Sequence, residues 1–165
     1  MQVTLSPVDP SNVEALRNLW QLYLYESSED VEVDERGLCH PLSDEFLQVL
    51  MAKTARDRAY LLHLGPTLVG FLLIEDAAIE GRQILEFADI FILRRHRRRG
   101  LATAVFRQVV LMSEHPWLLA VFRKDKAALA HWEKVFSRTP ELRWREKSPP
   151  EIAEFHEFIL NERHA

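Results

Sequence analysis

The stretch Glu86-Phe-Ala-Asp-Ile-Phe-Ile-Leu-Arg-Arg-His-Arg-Arg-Arg-Gly-Leu-Ala102 combines an apolar segment with a strongly basic one. Its first half is rich in isoleucine and phenylalanine, which favours a β-strand. Five arginines then fill the six positions 94 to 99, and a segment of helical periodicity opens at Gly100. A junction between a strand and a helix presents backbone N–H groups and a partial positive charge. The pattern therefore predicts an anion cradle of the kind that suits a pyrophosphate.

The segments on either side of this stretch predict a mixed sheet. Two apolar runs, 59–64 and 68–74, are separated by Gly65-Pro-Thr67, which is typical of a hairpin. Helical periodicity predicts helices over 11–26, 43–56 and 100–113 and after Asp125, with strands at 3–5, 83–93, 117–122, 142–145 and 152–160. The predicted order is β-α-α-β-β-β-α-β-α-β-β. Because the middle strands form hairpins rather than β-α-β repeats, we expect an α/β fold of the α+β type, with helices on the faces of the sheet.

Length and composition limit the class of protein. The chain has 165 residues, the length of one ordinary domain, and a net charge of −4 from 21 Lys+Arg and 25 Asp+Glu. This balance excludes a protein whose whole surface is built for nucleic acid. Cys39 is the only cysteine, so no intramolecular disulfide forms and a cytoplasmic location is expected. The N-terminus has no signal pattern, and the apolar runs are too short to span a bilayer.

The charges are unevenly distributed along the chain. The arginine cluster at 94–99 is opposed by an acidic segment at 26–35, which contains six carboxylates. On charge alone, a solvated basic face or an RNA contact explains the arginines as well as a pyrophosphate cradle does. The acidity of the remaining chain argues against RNA, and we expect neither a nucleic acid nor a membrane as partner.

The quoted stretch, in its context, resembles the central motif of the GNAT acyltransferases. In that family a hydrophobic strand precedes Arg/Gln-x-x-Gly-x-Gly/Ala, which Arg97, Gly100 and Ala102 match. The predicted order of elements matches the family over nearly the whole chain. The arginine-rich loop is most similar to that of bacterial members. The resemblance implies one GNAT-like domain over 1–165, with a splayed pair formed by the strands at 83–93 and 117–122.

The resemblance also implies acetyl-CoA as co-substrate, without a metal. The pantetheine arm would bond to the backbone of Ile90, Phe91 and Ile92, and an N–H near Phe91 or Ile92 would polarise the thioester carbonyl. The pyrophosphate would be bound by the backbone N–H groups of Arg97, Arg98, Arg99, Gly100, Leu101 and Ala102.

The implied chemistry is attack of a primary amine on a thioester, by direct transfer in a ternary complex. An alkylamine is mostly protonated at pH 7, so a base must remove a proton. Two carboxylates on the key strand, Glu86 and Asp89, are candidates. Their spacing places them on opposite faces of an ideal strand, unless a bulge intervenes. By the resemblance, Asp89 stands three residues before Ile92, where related sequences often carry Asp or Glu, and Glu86 stands six before, at the position of the base in histone-type members. Asp89 is the slightly favoured base.

A second motif departs from the family pattern. Asp125-x-x-Ala128-x-x-His131-Trp132-Glu133-Lys134 is similar to Asn-x-x-Ala-x-x-Phe-Tyr-Glu-Lys. Asp125 replaces the asparagine that contacts the cofactor. Trp132 stands where relatives have a tyrosine that protonates the leaving thiolate, which an indole cannot do. His131 or Tyr25 is an alternative general acid, although a thiol with a pKa near 8.5 leaves without strong assistance.

By the same resemblance, the connection between the first two helices forms a wall of the acceptor site. Carboxylates at Glu29, Asp30 and Glu32 would concentrate a cationic amine there, although a solvated loop explains them equally well. The C-terminal strand, with Phe155 and Ile159 expected on its exposed side, allows a homodimer. A noncatalytic acyl-CoA sensor and an RNA-associated protein are the alternative functions.

Overall fold

The computed structural model describes residues 2–27, 31–52 and 58–162, and within them seven strands and four helices follow the predicted order. The strands are β1 (Val3–Pro7), β2 (Ala59–Leu64), β3 (Thr67–Ile79), β4 (Arg82–Ile92), β5 (Trp117–Phe122), β6 (Trp144–Glu146) and β7 (Phe155–Leu160). The helices are α1 (Val13–Ser27), α2 (Asp44–Met51), α3 (Leu101–Phe106) and α4 (Lys126–Ser137). A π-helical segment, Arg107–Leu111, continues α3.

The strands form one mixed sheet in the order β1-β2-β3-β4-β5-β7-β6. Most neighbours are antiparallel, whereas β4 and β5 are parallel. The β4–β5 ladder consists of the pairs Leu85↔Trp117 and Glu86↔Leu118, although β4 runs on to Ile92 and β5 to Phe122. The mixed sheet and the order of its elements confirm the predicted α/β fold.

The chain divides into two compact units. The first contains Met1–Leu73 and Asp89–Arg99, and the second contains Ile74–Ala88 and Gly100–Ala165. Both β3 and β4 therefore contribute residues to each unit.

The core of the first unit lies between its helices and the strands β2 and β3. Leu16 and Leu19 of α1, spaced by one helical turn, are buried together with Leu47 of α2 and Phe71 of β3. Ser43 caps α2 by accepting a hydrogen bond from the N–H of Phe46 at 3.1 Å.

The core of the second unit is rich in aromatic rings. Phe106 of α3 packs at 5.2 to 6.4 Å, centroid to centroid, against Phe87 of β4 and against Trp132 and Phe136 of α4. A smaller cluster of Ile79, Ile84, Leu118 and Ile159 is also buried in this unit.

The C-terminal strand differs from the expectation. It begins at Phe155 rather than at residue 152, because the buried Glu157 carboxylate accepts the N–H groups of Glu151 and Ile152 at 2.8 and 3.0 Å. Ile159 is fully buried, and β7 pairs on both sides, with β5 and with β6. The expectation of an exposed Ile159 for a dimer contact is therefore wrong. No helix within the described ranges is long and apolar enough to cross a membrane.

Candidate active site

Asp89 lies near the end of β4, in the first unit, in contact with a tyrosine of α1. The Tyr23 hydroxyl donates a hydrogen bond to Asp89 Oδ1 at 2.5 Å. Burial raises the pKa of Asp89 above its ordinary value, and the Tyr23 hydrogen bond offsets part of that rise. A carboxyl group with a raised pKa is a stronger base once it has lost its proton, so Asp89 suits proton abstraction.

The position of Tyr23 follows from the periodicity of α1. Tyr23 stands seven residues after Leu16, which places both on the face that covers the first unit's core. Its ring contacts Trp20, Phe71 and Phe91, with centroid distances of 5.1, 5.7 and 5.8 Å. The phenol is thus held by apolar packing, while its hydroxyl reaches Asp89.

Glu86, the other candidate base, lies in a different part of the strand. It belongs to the second unit, where it pairs with Leu118 in the ladder between β4 and β5. Asp89 belongs to the first unit.

The arginine loop begins with one 3₁₀ turn, Arg94–His96, and then turns back on β4 through Arg97. Arg97 Nε donates to the carbonyl oxygen of Ile92 at 2.7 Å, and the guanidinium lies 5.5 Å from the Phe91 ring centroid. Another nitrogen of Arg97 donates to Glu26 at 2.5 Å. The backbone N–H of Arg97 donates to the carbonyl of Arg94 at 3.2 Å, which removes it from the N–H groups expected to face a pyrophosphate.

The rest of the loop has an unusual backbone. Arg98 has φ of 61° and Gly100 has φ of 73°, both in the left-handed region. Glycine adopts that conformation without strain, whereas the arginine does so at a cost of about 1–2 kcal/mol. The first hydrogen bond of α3 runs from the N–H of Ala104 to the carbonyl of Gly100. The N–H groups of Leu101 and Ala102, in the first turn, therefore have no acceptor within the helix.

The acidic segment after α1 is partly neutralised by arginines. Glu26 contacts Arg97 and also Arg94, at 3.3 Å. Asp34 pairs with Arg36 at 2.9 Å, and its pKa is lowered mainly by the backbone N–H of Leu38 and then by that arginine. Of the predicted acceptor residues, Glu32 is exposed, whereas Glu29 and Asp30 lie outside the described residues.

In the second unit, the two residues that depart from the family motif have structural roles. Asp125 caps α4, because its side chain accepts the N–H of Ala128 at 2.9 Å. Trp132 is buried, with its ring 5.7 Å from Phe87 and 5.2 Å from Phe106 between centroids. This packing explains why position 132 carries a large apolar ring. A contact of Asp125 with a cofactor stays a prediction.

Neither of the alternative general acids is the partner in the hydrogen bond of Asp89. His131 lies on α4, where partial desolvation of its ring and then the positive charge of Lys134 lower its pKa. Tyr25 is 70% exposed, whereas Tyr23, two residues earlier, reaches Asp89. Helical spacing predicts that Tyr23 faces the core. No short-range sequence pattern predicts its hydrogen bond to Asp89, which is 66 positions away.

Solved structures with the same fold belong to acetyltransferases. An acetyltransferase from Thermus thermophilus superposes with a TM-score of 0.63 at 20% identity, covering 97% of this chain and 96% of that one. A GNAT-family acetyltransferase from Bacillus cereus ATCC 10987 gives 0.59 at 9% identity, with full coverage of both chains. This chain has the GNAT fold.

A third GNAT-fold neighbour was solved with a bound ligand. Arabidopsis thaliana Naa50, in complex with the bisubstrate analogue CoA-Ac-MVNAL, gives a TM-score of 0.61 at 16% identity, covering 99% of this chain and 100% of that one. No family model matches the sequence, and no curated protein matches it. The fold expected from the arginine motif and the element order is therefore confirmed. Within residues 2–27, 31–52 and 58–162, no cluster of three or more His, Cys, Asp or Glu side chains is arranged to hold a metal ion.

Proposed function

We propose that the chain transfers the acetyl group of acetyl-CoA to a primary amine, with Asp89 as the general base. The observation that carries this proposal is the half-buried Asp89 carboxylate on β4, the strand that leads into the arginine loop of a GNAT fold. A half-buried carboxyl with a raised pKa, held by a hydrogen bond, has the properties of a base rather than of a solvated surface group.

The proposed contacts with acetyl-CoA are made mainly by backbone. The N–H groups of residues 98–102 would bind the pyrophosphate, since Gly100 supplies the left-handed turn and Leu101 and Ala102 precede the α3 ladder. The exposed side chains of Arg98 and Arg99 would add positive charge. We keep Asp125 as a further proposed contact, secondary to its role as helix cap.

Strand geometry supports one of the two N–H groups proposed to polarise the thioester. The N–H of Leu93 donates to the Val69 carbonyl of β3, and the carbonyl of Phe91 abuts Gly70 of the same strand. Because hydrogen-bonding directions alternate along a strand, Ile92 and Ile90 direct their N–H groups to the other edge of β4. We therefore assign the oxyanion role to Ile92 and backbone contacts with the pantetheine arm to Ile90 and Ile92.

In the proposed reaction, acetyl-CoA supplies an activated acyl carbon and a thiol leaving group. The acceptor nitrogen forms a bond to that carbon as the C–S bond breaks, and the nitrogen's proton passes to Asp89 directly or through one water. Trp132 is buried among phenylalanines and carries no acid, so the sulfur would leave as a thiolate that takes its proton from solvent.

The acceptor is proposed to be a cationic primary amine. The support is the composition of the acidic segment 26–35, in which the described Glu32 is exposed, while the carboxylate that pairs with Arg97 is that of Glu26. Peptide amines belong in the same test, because Naa50 was solved with a peptide-containing analogue. Replacing Glu32 by Gln, alone and with Glu29→Gln and Asp30→Asn, should raise KM for cationic amines and leave KM for acetyl-CoA unchanged; equal KM values across the panel would refute this acceptor class.

Thiol release from acetyl-CoA, measured over a panel of polyamines, amino sugars, lysine derivatives and short peptides, tests the activity. Asp89→Asn should lower kcat by about 10²- to 10⁴-fold while acetyl-CoA binding, measured by calorimetry, is retained. Glu86→Gln is the matched control. A fall in kcat in that variant alone would identify Glu86, and not Asp89, as the base.

A noncatalytic acyl-CoA sensor is the second candidate, which the buried Trp132 favours because no acid stands at that position. A sensor would bind acetyl-CoA in the calorimeter and release no thiol with any amine. Binding of RNA but not of acetyl-CoA would instead support an RNA-associated protein. We further propose that residues 1–165 act as one domain in the cytoplasm; light scattering would test the homodimer that the family resemblance allows.

A further inference from the structure

Tyr23 and Asp89 form a pair that the GNAT motif does not include. They come from α1 and β4, and both lie in the first unit. Their hydrogen bond, 2.5 Å between the phenol oxygen and Oδ1, is at the short end of the range for an O–H donor to a carboxylate. Among the residues that the structure describes, Asp89 Oδ2 has no hydrogen-bond partner.

The tyrosine itself cannot easily move. Its ring meets Phe71 edge-on, at 89° between planes, and is also in contact with Trp20 and Phe91. Trp20 is in turn anchored by a hydrogen bond from Nε1 to the carbonyl of His40 at 3.2 Å. The phenol oxygen is therefore fixed by packing, and it fixes the carboxylate.

We propose that Tyr23 is a positioning residue of the transfer reaction: its hydroxyl holds Asp89 Oδ1, so that Oδ2 is directed to the proton of the acceptor amine. This inference rests on the proposed function, in which Asp89 is the base. It adds a residue of α1 whose role is exerted through the carboxylate and not through contact with the reacting atoms.

Among the described residues, burial and the Tyr23 hydrogen bond are what shift the pKa of Asp89. The part of β3 in the same unit, 67–73, has no ionisable side chain. From the arginine loop, Arg97 lies over Phe91, and its charge is paired with Glu26 of α1. Tyr23 is thus the ionisable group in contact with Asp89, and its removal should change the titration of Asp89 directly.

Replacing Tyr23 by Phe keeps the ring and removes the hydroxyl. Because this hydroxyl donates to the ionised carboxylate, its loss disfavours that form and raises the pKa of Asp89 further. The acidic limb of the kcat/KM profile should move to higher pH, with activity on that limb lowered roughly tenfold. At pH values well above the limb the variant and the wild type should converge.

A matched control is Tyr60→Phe, which removes a phenol hydroxyl from β2 of the same unit. It should leave the profile unchanged. A loss of the same factor at every pH in Tyr23→Phe would indicate a merely structural role and would overturn the inference. Superimposable profiles of Tyr23→Phe and wild type would overturn it as well.

A second readout separates this inference from the proposed function. Carbon NMR of the Asp89 carboxyl follows its titration in the wild type and in Tyr23→Phe without any substrate. A raised pKa in the variant, together with the displaced acidic limb, supports the positioning role. An unchanged titration overturns the positioning role and leaves the proposed acetyl transfer intact. If the wild type releases no thiol with any amine, the proposed function is overturned and the role of Tyr23 with it.

Discussion

Glu26, at the end of α1, accepts a hydrogen bond from the guanidinium of Arg97 at 2.5 Å. The two residues belong to the acidic and the basic segments that look independent in the sequence. Glu26 also contacts Arg94, so one carboxylate offsets two of the five arginines of the loop. In the proposed function, the charge available to phosphate groups would therefore come mainly from the other arginines, Arg95, Arg98 and Arg99.

Replacing Arg97 or Arg98 by Ala should have different effects on stability and on acetyl-CoA binding. Arg97→Ala loses the hydrogen bond to the Ile92 carbonyl, the contact with the Phe91 ring and the ion pair with Glu26. Because these groups are partly exposed, we expect the free energy of unfolding to fall by about 1–2 kcal/mol, as measured by urea denaturation. Arg98→Ala should leave stability nearly unchanged and weaken acetyl-CoA binding in a salt-dependent way. Equal losses of stability would contradict this division.

Gly70 should not tolerate a side chain. A Cβ built at this position would lie 1.9 Å from the carbonyl oxygen of Phe91, and the backbone of β4 would have to move. We expect Gly70→Ala to lower the free energy of unfolding by about 3 kcal/mol. Gly65→Ala is the control, since its Cβ would meet no atom within 4 Å and only its φ of 56° opposes the change, at about 1 kcal/mol. A smaller loss at Gly70 than at Gly65 would contradict the close approach of β3 and β4.

Asp89→Asn should make the protein more stable at neutral pH. The pKa of Asp89 is raised in the folded state, so folding binds the proton more tightly, and the wild type loses stability as the pH rises through that pKa. The neutral asparagine avoids this loss and still accepts the Tyr23 hydroxyl. Melting temperatures measured against pH should therefore coincide below the ordinary value of 3.8, separate as the pH rises from there to the raised pKa of Asp89, and stay apart above it. A variant less stable than the wild type at pH 7 would count against the burial of a charged Asp89.

Glu157 should be required for the segment that precedes β7. Its two oxygens accept the N–H groups of Glu151 and Ile152, and Gln provides only one acceptor oxygen. We expect Glu157→Gln to lower the free energy of unfolding by about 1–3 kcal/mol and to speed amide exchange at those two residues. Glu154→Gln, on the exposed part of the same segment, is the control. Unchanged exchange at Glu151 and Ile152 would show that the carboxylate does not hold them.

Trp132 should matter for stability and not for the chemical step. Trp132→Phe removes part of a buried ring that packs on Phe87 and Phe106, so the free energy of unfolding should fall by about 1–3 kcal/mol. With no acid at this position in the wild type, kcat should stay within about twofold when measured below the melting temperature. Trp144→Phe, at a 46% exposed site, is the control for loss of an indole. A tenfold fall in kcat with little loss of stability would assign Trp132 to the reaction.

Local patterns were sufficient for the order of elements, because helices and strands depend on the periodicity of apolar residues within a few positions. The hairpin at Gly65, the caps at Ser43 and Asp125 and the arginine loop before α3 all follow from such short-range signals. Element ends were less predictable. β7 starts three residues later than expected because the side chain of Glu157, from within the strand, binds the backbone before it.

The sequence by itself thus determined the fold class, the arginine loop and Asp89 as a candidate base. The tertiary structure decided which groups those residues contact. Tyr23 and Asp89 are 66 positions apart, and Glu26 and Arg97 are 71 apart, so their pairing depends on how α1 packs against β3 and β4. The burial of Ile159 was likewise decided by the neighbours of β7 in the sheet. Periodicity states which face of an element is apolar, but only packing brings two distant polar groups within hydrogen-bonding distance.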